Sequence, residues 1–261
     1  MLRSITWSAE VNMVNAIILA GGQGIKGLEE SGSKALYRIN GKMMIEYVID
    51  VLKEVEDVNR IVVVGPCVGF GDDFNEKVDK IINSDGTIME NIVAGLEYLG
   101  HNENVIICTC DIPLITKEAV VDFIKRSEMT YADLCYPIVK KEINDEKYPD
   151  MVRTYVKLKE GKYTGGNVFY LKPEIILKNY DFGQKLISYR KEPIKMARLL
   201  GLSFMIKFLA GRITVEMVEK KFFQITGIRG KAIISSYPEI GQDVDKTGDL
   251  YAAVSYLSSR G

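Results

Sequence analysis

The sequence predicts an α/β fold with a doubly wound, mostly parallel, Rossmann-like sheet, and two observations lead to that prediction. Three apolar runs, at 16–20, 61–64 and 105–108, are continuous rather than alternating, as expected of parallel strands that are buried on both faces. Segments with apolar residues at helical spacing, 43–55 and 89–99, lie between these runs. Sheets of this class bind ligands outside the carboxyl ends of their strands, so we expect the site there.

The first apolar run ends directly in a glycine-rich loop with basic residues after it. Glycines at the end of a strand let the backbone turn tightly and bring its N–H groups against an anion. Lysine side chains can then supply full positive charges. We therefore predict a phosphate-binding loop, and its residues are Leu19, Ala20, Gly21, Gly22, Gly24, Lys26, Lys34 and Lys42.

Two other phosphate-loop patterns fit this stretch less well. The glycines of 22–27 satisfy the dinucleotide fingerprint, but 29–33 is a poor helix and the acidic residues in range, Glu46 and Asp50, fall inside a helical pattern. The Walker pattern is not matched either, since Ser33 and Lys34 stand in the wrong order.

Composition excludes several classes of protein. The chain has 261 residues, enough for one large domain or two small ones, with 47% apolar and 26% charged residues and a net charge of −1. This balance gives no indication of nucleic-acid binding. His101 is the only histidine, which argues against catalytic triads and against histidine acid–base chemistry.

The chain carries no sign of secretion or of a membrane span. Residues 1–12 lack an apolar core of signal-peptide length, so we expect them to be an N-terminal extension and 13–261 to form the domain. The four cysteines form no Cys-x-x-Cys pair, and Cys108 and Cys110 are expected to be reduced, buried thiols. We therefore expect a cytoplasmic protein.

The glycine loop, together with Lys34 and the Gly41-Lys42 pair, resembles the signature of the nucleotidyltransferase family that includes MobA-like guanylyltransferases. The resemblance covers about 13–180 and 230–258. It implies a sheet of the nucleotidyltransferase type and Mg²⁺-dependent transfer of a nucleoside monophosphate from an NTP to a phosphorylated small-molecule acceptor, with release of pyrophosphate. That family usually has arginine where this chain has Lys26.

The resemblance also implies roles for particular residues. The backbone N–H groups of the loop glycines would hold the phosphates with help from Lys26. Lys34 would stabilise the charge on the α-phosphoryl group during transfer. Thr87 and Gly95 match positions near the nucleobase in the family.

Asp111 follows the run 105–108, which places it at the same edge of the sheet as the glycine loop. A carboxylate that faces a phosphate chain suits Mg²⁺. The family holds its metal with an Asp in this Cys-Asp-x-Pro context. The alternative is that Asp111 caps the next helix, although Thr116 is the better cap.

A second acidic stretch lies near the end of the sequence. Residues 241–250 resemble the family's Asp-x-Asp-Thr-Pro-Glu-Asp-Leu stretch, with Lys, Thr and Gly at 246–248 in the middle. Asp243 or Asp245 would be the second metal carboxylate, and Asp249 would cap the last helix. The alternative is an ordinary solvated acidic loop.

The middle of the chain is less helical, with strands predicted at 133–139, 151–158 and 168–171. The loop residues Gly165, Gly166 and Asn167 lie between two of them. In sugar nucleotidyltransferases a comparable turn lies along the acceptor, which is the role predicted here. An ordinary turn with positive φ is the alternative.

Residues 181–226 are predicted to be a helical insertion, with helices at about 183–190, 193–210 and 214–225. Such a segment most often packs on the core or on a second subunit, as in a homodimer. Its basic residues could instead bind an acceptor phosphate or an anionic membrane surface. Of these two uses we favour the acceptor, and we predict that Arg190 and Lys191 contact it.

Two rival functions remain open. A nucleotide-binding regulatory protein that has lost catalysis is consistent with Lys26 and with the altered residues 246–248. A dinucleotide-dependent oxidoreductase would bind NAD(P), which we do not expect.

Overall fold

The computed structural model describes residues 12–22, 24–28, 33–66, 68–189 and 192–260, and a mixed sheet runs through them. The strands, in chain order, are β1 (Val14–Leu19), β2 (Arg38–Ile39), β3 (Lys42–Met43), β4 (Val58–Gly65), β5 (Lys80–Asn83), β6 (Asn104–Thr109), β7 (Leu134–Lys140), β8 (Val156–Leu158), β9 (Gly161–Gly165), β10 (Val168–Leu171) and β11 (Gly230–Ser235). Strands β2 and β3 form a separate antiparallel hairpin.

Helices flank this sheet. They are α1 (Met44–Glu54), α2 (Ile88–Leu99), α3 (Lys117–Glu128), α4 (Lys141–Lys147), α5 (Glu174–Lys178), α6 (Tyr180–Tyr189), α7 (Pro193–Leu200), α8 (Leu202–Leu209), α9 (Val215–Thr226) and α10 (Thr247–Arg260). In the ranges described, no helix is long and apolar enough to cross a membrane.

The sheet order is β5-β4-β1-β6-β10-β7-β9-β8, and β11 pairs with β7. The first four strands are parallel, as the continuous apolar runs predict. The register sets Leu19 opposite both Val64 and Thr109, so the ends of β4, β1 and β6 meet at one edge. Strand β10 is antiparallel to β6 and β7, and β11 runs parallel to β7. The α/β fold with a mostly parallel sheet is confirmed.

The core lies on both faces of the sheet because successive side chains of each buried strand point to opposite sides. Ile18 packs in the cluster that contains residues of α1 and α3, whereas Ile17 packs in the cluster that contains residues of α2. A Cβ atom on Gly95 would lie 2.7 Å from the Ile17 side chain. The absence of a side chain at Gly95 therefore lets α2 lie close to β1.

The structure differs from the sequence prediction in the second half of the chain. The predicted strand 151–158 is reduced to β8, and Arg153, in the part that is not a strand, pairs with Asp243. Helix α4 lies between the strands predicted at 133–139 and 151–158, and β9 is a further strand that the sequence analysis does not predict.

The described residues of 181–226, the predicted helical insertion, form helices, but the helix predicted at 193–210 is broken into α7 and α8. Gly201 separates them with a φ of 93°, a conformation outside the helical region that glycine adopts readily. The predicted acceptor residues Arg190 and Lys191 lie outside the described residues, as does the predicted extension except for Asn12.

Candidate active site

The glycine loop leaves the sheet at the end of β1. The Ala20 N–H donates to the Val64 carbonyl at 2.8 Å, so this group still belongs to the sheet. Gly21 and Gly22 follow and are exposed. A Cβ on Gly65 would lie 2.7 Å from backbone atoms of Ala20 and Gly21, so the loop and the end of β4 approach each other too closely for a side chain. The loop backbone is thus held at the sheet edge with its glycines facing outward.

Lys34 begins a short 3₁₀ turn (Lys34–Leu36), and its side chain is 11% exposed. Its Nζ lies 2.9 Å from Asp111 Oδ2 and forms a second ion pair with Asp245. Burial lowers the pKa of Lys34, but the two carboxylates more than offset this and hold the pKa above its usual value. Lys34 is therefore cationic at every physiological pH.

Backbone hydrogen bonds set the position of the acidic stretch 243–246 against the glycine loop. The Val244 N–H donates to the Asp111 carbonyl at 2.9 Å, and the Lys26 N–H donates to the Asp245 carbonyl at the same distance. The Thr247 N–H then donates to the Lys26 carbonyl at 3.2 Å. These bonds place Asp243 and Asp245 beside Asp111. The backbone of Lys26 thus joins the glycine loop to the acidic stretch, and Lys26 is exposed to solvent.

The structure brings together the three predicted metal ligands. Asp111, Asp243 and Asp245 each offer an oxygen, and these oxygens lie within 4.8 Å of one another. Burial raises the pKa of Asp243 to about 7, Arg153 opposes the rise, and the other two carboxylates add to it. Asp111 Oδ1 is buried with no hydrogen-bond partner in the described part of the chain. Such an oxygen set suits a hard divalent cation.

Arg153 belongs to the same cluster and was not predicted. Its side chain is only 7% exposed, it pairs with Asp243, and its Nη2 lies 3.4 Å from Asp249 Oδ1. Nη2 also donates to the Asp243 carbonyl at 2.9 Å. No sequence pattern indicated this role, because the partners of Arg153 lie far along the chain.

The two predicted helix caps are confirmed. Thr116 Oγ1 accepts a hydrogen bond from the Ala119 N–H at the start of α3, which leaves Asp111 free for the cluster. In the first turn of α10, Asp249 Oδ2 accepts from the N–H groups of Asp245 and Lys246, both at 3.2 Å. Asp249 therefore both caps α10 and holds the acidic loop in position.

The predicted acceptor loop lies in the same cleft as two of the carboxylates. A cleft of about 370 Å³ is lined by Gly165, Gly166 and Asn167 together with Asp243 and Asp245. The loop is fixed by its backbone, since the Asn167 N–H donates to Ile240 and the Asn167 carbonyl accepts from the Thr109 N–H. Through these two hydrogen bonds, the loop links the end of β6 to the segment that precedes the acidic stretch.

The two residues predicted near the nucleobase lie on α2. Thr87 caps this helix in a reciprocal pair with Glu90, whose carboxylate accepts from the Thr87 N–H at 2.6 Å. Gly95 is buried against the sheet, two turns further along. The same helix approaches the glycine loop through Asn91, whose Nδ2 would lie 3.6 Å from a Cβ on Gly21.

The chain is similar to known proteins both in sequence and in fold. The family model described as a MobA-like NTP transferase domain matches residues 16–196. A solved structure of a hypothetical transferase from Thermus thermophilus is 33% identical with a TM-score of 0.80, covering 91% of this chain and 99% of that one.

Two further matches are more limited. The 4-diphosphocytidyl-2C-methyl-D-erythritol synthase of Anaerococcus prevotii is 15% identical with a TM-score of 0.59, covering 95% of this chain and 100% of that one, and it shares the fold. The bifunctional protein GlmU of Thermodesulfovibrio yellowstonii is 34% identical over 116 residues, which are 43% of this chain. The match spans only 25% of the length of that curated relative.

Proposed function

Because the chain belongs to the MobA-like NTP transferase family, we propose that it moves a nucleoside monophosphate from an NTP to a phosphorylated small-molecule acceptor and releases pyrophosphate. One observation carries the proposal. Lys34 is buried between carboxylates at the sheet edge where the glycine loop emerges, so a fixed cation and a candidate metal site lie beside a phosphate-binding backbone.

The chemistry of this transfer needs no nucleophile from the protein. An oxygen of the acceptor phosphate forms a bond to the α-phosphorus, and the bond from that phosphorus to the bridging oxygen of the β-phosphate breaks, so that pyrophosphate leaves. Positioning and charge stabilisation then account for catalysis. This agrees with a chain whose one histidine, His101, is exposed and away from the cluster.

In our proposal, Gly21, Gly22 and Gly24 bind phosphate oxygens through backbone N–H groups, with Lys26 as an exposed cation nearby. Lys34 lowers the energy of the transition state by facing the charge on the α-phosphoryl group. Leu19 and Ala20 hold the loop in the sheet. Gly165, Gly166 and Asn167 line the acceptor side, and Thr87 with Gly95 positions α2 near the nucleobase.

We propose that Mg²⁺ is held by Asp111 together with Asp243 or Asp245. The unpartnered, buried Asp111 Oδ1 and the three convergent carboxylates fit this ion. When bound, Mg²⁺ would neutralise phosphate charge. Asp249 and Arg153 act as positioning residues, because each holds part of the acidic loop.

Pyrophosphate release with each of the four NTPs, Mg²⁺ and a panel of phosphorylated acceptors tests the proposal. Lys34→Ala should lower turnover by about 10²–10³ with little change in NTP affinity, because the lysine acts mainly in the transition state. Asp111→Asn should abolish the response to Mg²⁺. Lys53→Ala, an exposed lysine on α1, is the matched control and should behave as wild type.

Near wild-type turnover by Lys34→Ala would refute the role of this lysine. Tight NTP binding without pyrophosphate release in the presence of any acceptor would favour a regulatory nucleotide-binding protein. Lys26 in place of arginine is consistent with that alternative.

A further inference from the structure

A large apolar cavity lies beside the acidic cleft and is separate from the glycine loop. It measures about 510 Å³ and lies between the sheet and the helices of the insertion. Strands β7 to β11 supply one wall, and α6, α8 and α9 supply the other through Leu186, Phe208, Val218 and Phe222. Its size falls within the range of pockets that hold small organic ligands.

The described residues that line the cavity are mostly apolar. Glu219 and Lys231 are the charged ones among them, and they bind each other, with Lys231 Nζ 2.6 Å from Glu219 Oε2. The other oxygen of Glu219 accepts from the Ala232 N–H at 3.0 Å. An apolar group that covers this wall would remove apolar surface from water, which favours binding.

The cavity adjoins the cleft, since Tyr136, Thr164 and Gly165 line both. The Tyr136 ring stacks on Phe169 at 4.9 Å on the cavity side. Its hydroxyl lies so close to Gly165 that a Cβ there would be 2.0 Å from it. A tyrosine at such a border presents its apolar ring to one space and its polar end to the other.

We propose that the acceptor is an amphiphile, with its phosphate in the cleft, where Arg153 and Lys246 supply positive charge, and an apolar tail in the adjoining cavity. This inference rests on the proposed function, since it names the class of acceptor for the same site. It also gives the insertion a use: the inward-facing residues of α8 and α9 form the wall that the tail contacts.

The affinity of a homologous series of ligands tests the tail site directly. We would titrate the full chain with inorganic phosphate and with unbranched alkyl phosphates of increasing length, below their critical micelle concentrations, by calorimetry. Each buried methylene should strengthen binding about fourfold, which corresponds to about 0.8 kcal/mol, until the cavity is filled.

Val218→Trp fills the cavity from α9 and should abolish the dependence of affinity on chain length while leaving NTP affinity unchanged. Met217→Trp adds the same ring to the same helix at a residue that is 36% exposed, and should keep the dependence. Ala232→Met fills the cavity from β11 and gives a second test if the tryptophan variant does not fold.

A flat affinity series for the wild-type chain would overturn the inference, and so would a chain-length dependence that survives in folded cavity-filling variants. The proposed function is judged separately by pyrophosphate release. Release with a short phosphorylated acceptor and a flat series would leave the function standing and refute the tail site. A length-dependent affinity series without pyrophosphate release from any NTP would support the tail site and refute the proposed function.

Discussion

Two buried cations hold the carboxylates of the site, and they do so in different ways. Lys34 contacts Asp111 and Asp245 with a single ammonium group, whereas Arg153 reaches Asp243 and the Asp249 cap with its planar fork. Lys34 faces the side of the glycine loop, so a phosphate can compete for it. Arg153 contacts other carboxylates of the cluster and holds the acidic loop through Asp243 and Asp249.

Replacing Arg153 by Met should destabilise the fold by about 3–5 kcal/mol, because it leaves the buried Asp249 and the partly buried Asp243 without their cation. The measurement is the free energy of unfolding in urea. Arg198→Met, an exposed arginine on α7, is the control and should change stability by no more than about 0.5 kcal/mol. Equal stabilities of the two variants would show that Arg153 does not hold the cluster.

At the scale of elements, one carboxylate ties three strands together. Asp133 lies just before β7 and binds Arg229, just before β11, through the Nε, Nη2 and backbone N–H groups at 2.7–3.0 Å. It also accepts from Lys172, just after β10, at 3.0 Å. Strand β7 carries Tyr136, and its Pro137 carbonyl accepts from the Gly166 N–H of the acceptor loop at 2.9 Å. The junction at Asp133 therefore helps to fix the position of β7, β10 and β11 relative to one another.

The pH dependence of stability should report on that junction. The hydrogen bonds from Arg229 hold the pKa of Asp133 well below its usual range, against the effect of burial and with the help of Lys172. A lowered folded pKa adds stability above the unfolded-state pKa of about 4, and this stability is lost as the pH falls toward the folded pKa.

We therefore expect the free energy of unfolding of Asp133→Asn to fall less steeply than that of wild type from about pH 5 to about pH 2. Urea unfolding across this range provides the measurement. Asp85→Asn, an exposed carboxylate before α2, should keep the wild-type slope. A slope for Asp133→Asn that equals the wild-type slope would contradict the assignment.

Much of the sheet edge can be predicted from sequence, because Gly21 and Asp111 each come after a continuous apolar run and parallel strands end together. The role of Arg153 cannot be predicted in this way, since Asp243 is 90 residues away and no local pattern links them. The break at Gly201 escapes for another reason: a lone glycine is tolerated inside a helical pattern, and only its φ of 93° shows the break.

The whole molecule is organised so that its site draws on distant parts of the chain. The glycine loop and Lys34 come from the start, Asp111 and Arg153 from the middle, and the acidic loop from near the end of the sequence. A ligand that contacts all of them should therefore stabilise the entire fold rather than a single segment of the chain.

Thermal unfolding with each NTP and Mg²⁺ checks this expectation. A nucleotide at one hundred times its Kd adds about 2.7 kcal/mol, which should raise the Tm by about 5–10 °C for a chain of this size. Asp245→Asn should reduce the shift, and Asp85→Asn should keep it. No shift with any of the four NTPs would argue against nucleotide binding.

The pairing of Lys34 with Asp245 also has a consequence for the order of events during biosynthesis. The two residues are 211 positions apart, so the ion pair closes a loop that spans most of the polypeptide. A ribosome that adds about 5–20 residues per second needs on the order of 10–40 s between them. Throughout that interval the nascent chain holds Lys34 without its second carboxylate. The active site can therefore be completed only after nearly the whole chain has emerged.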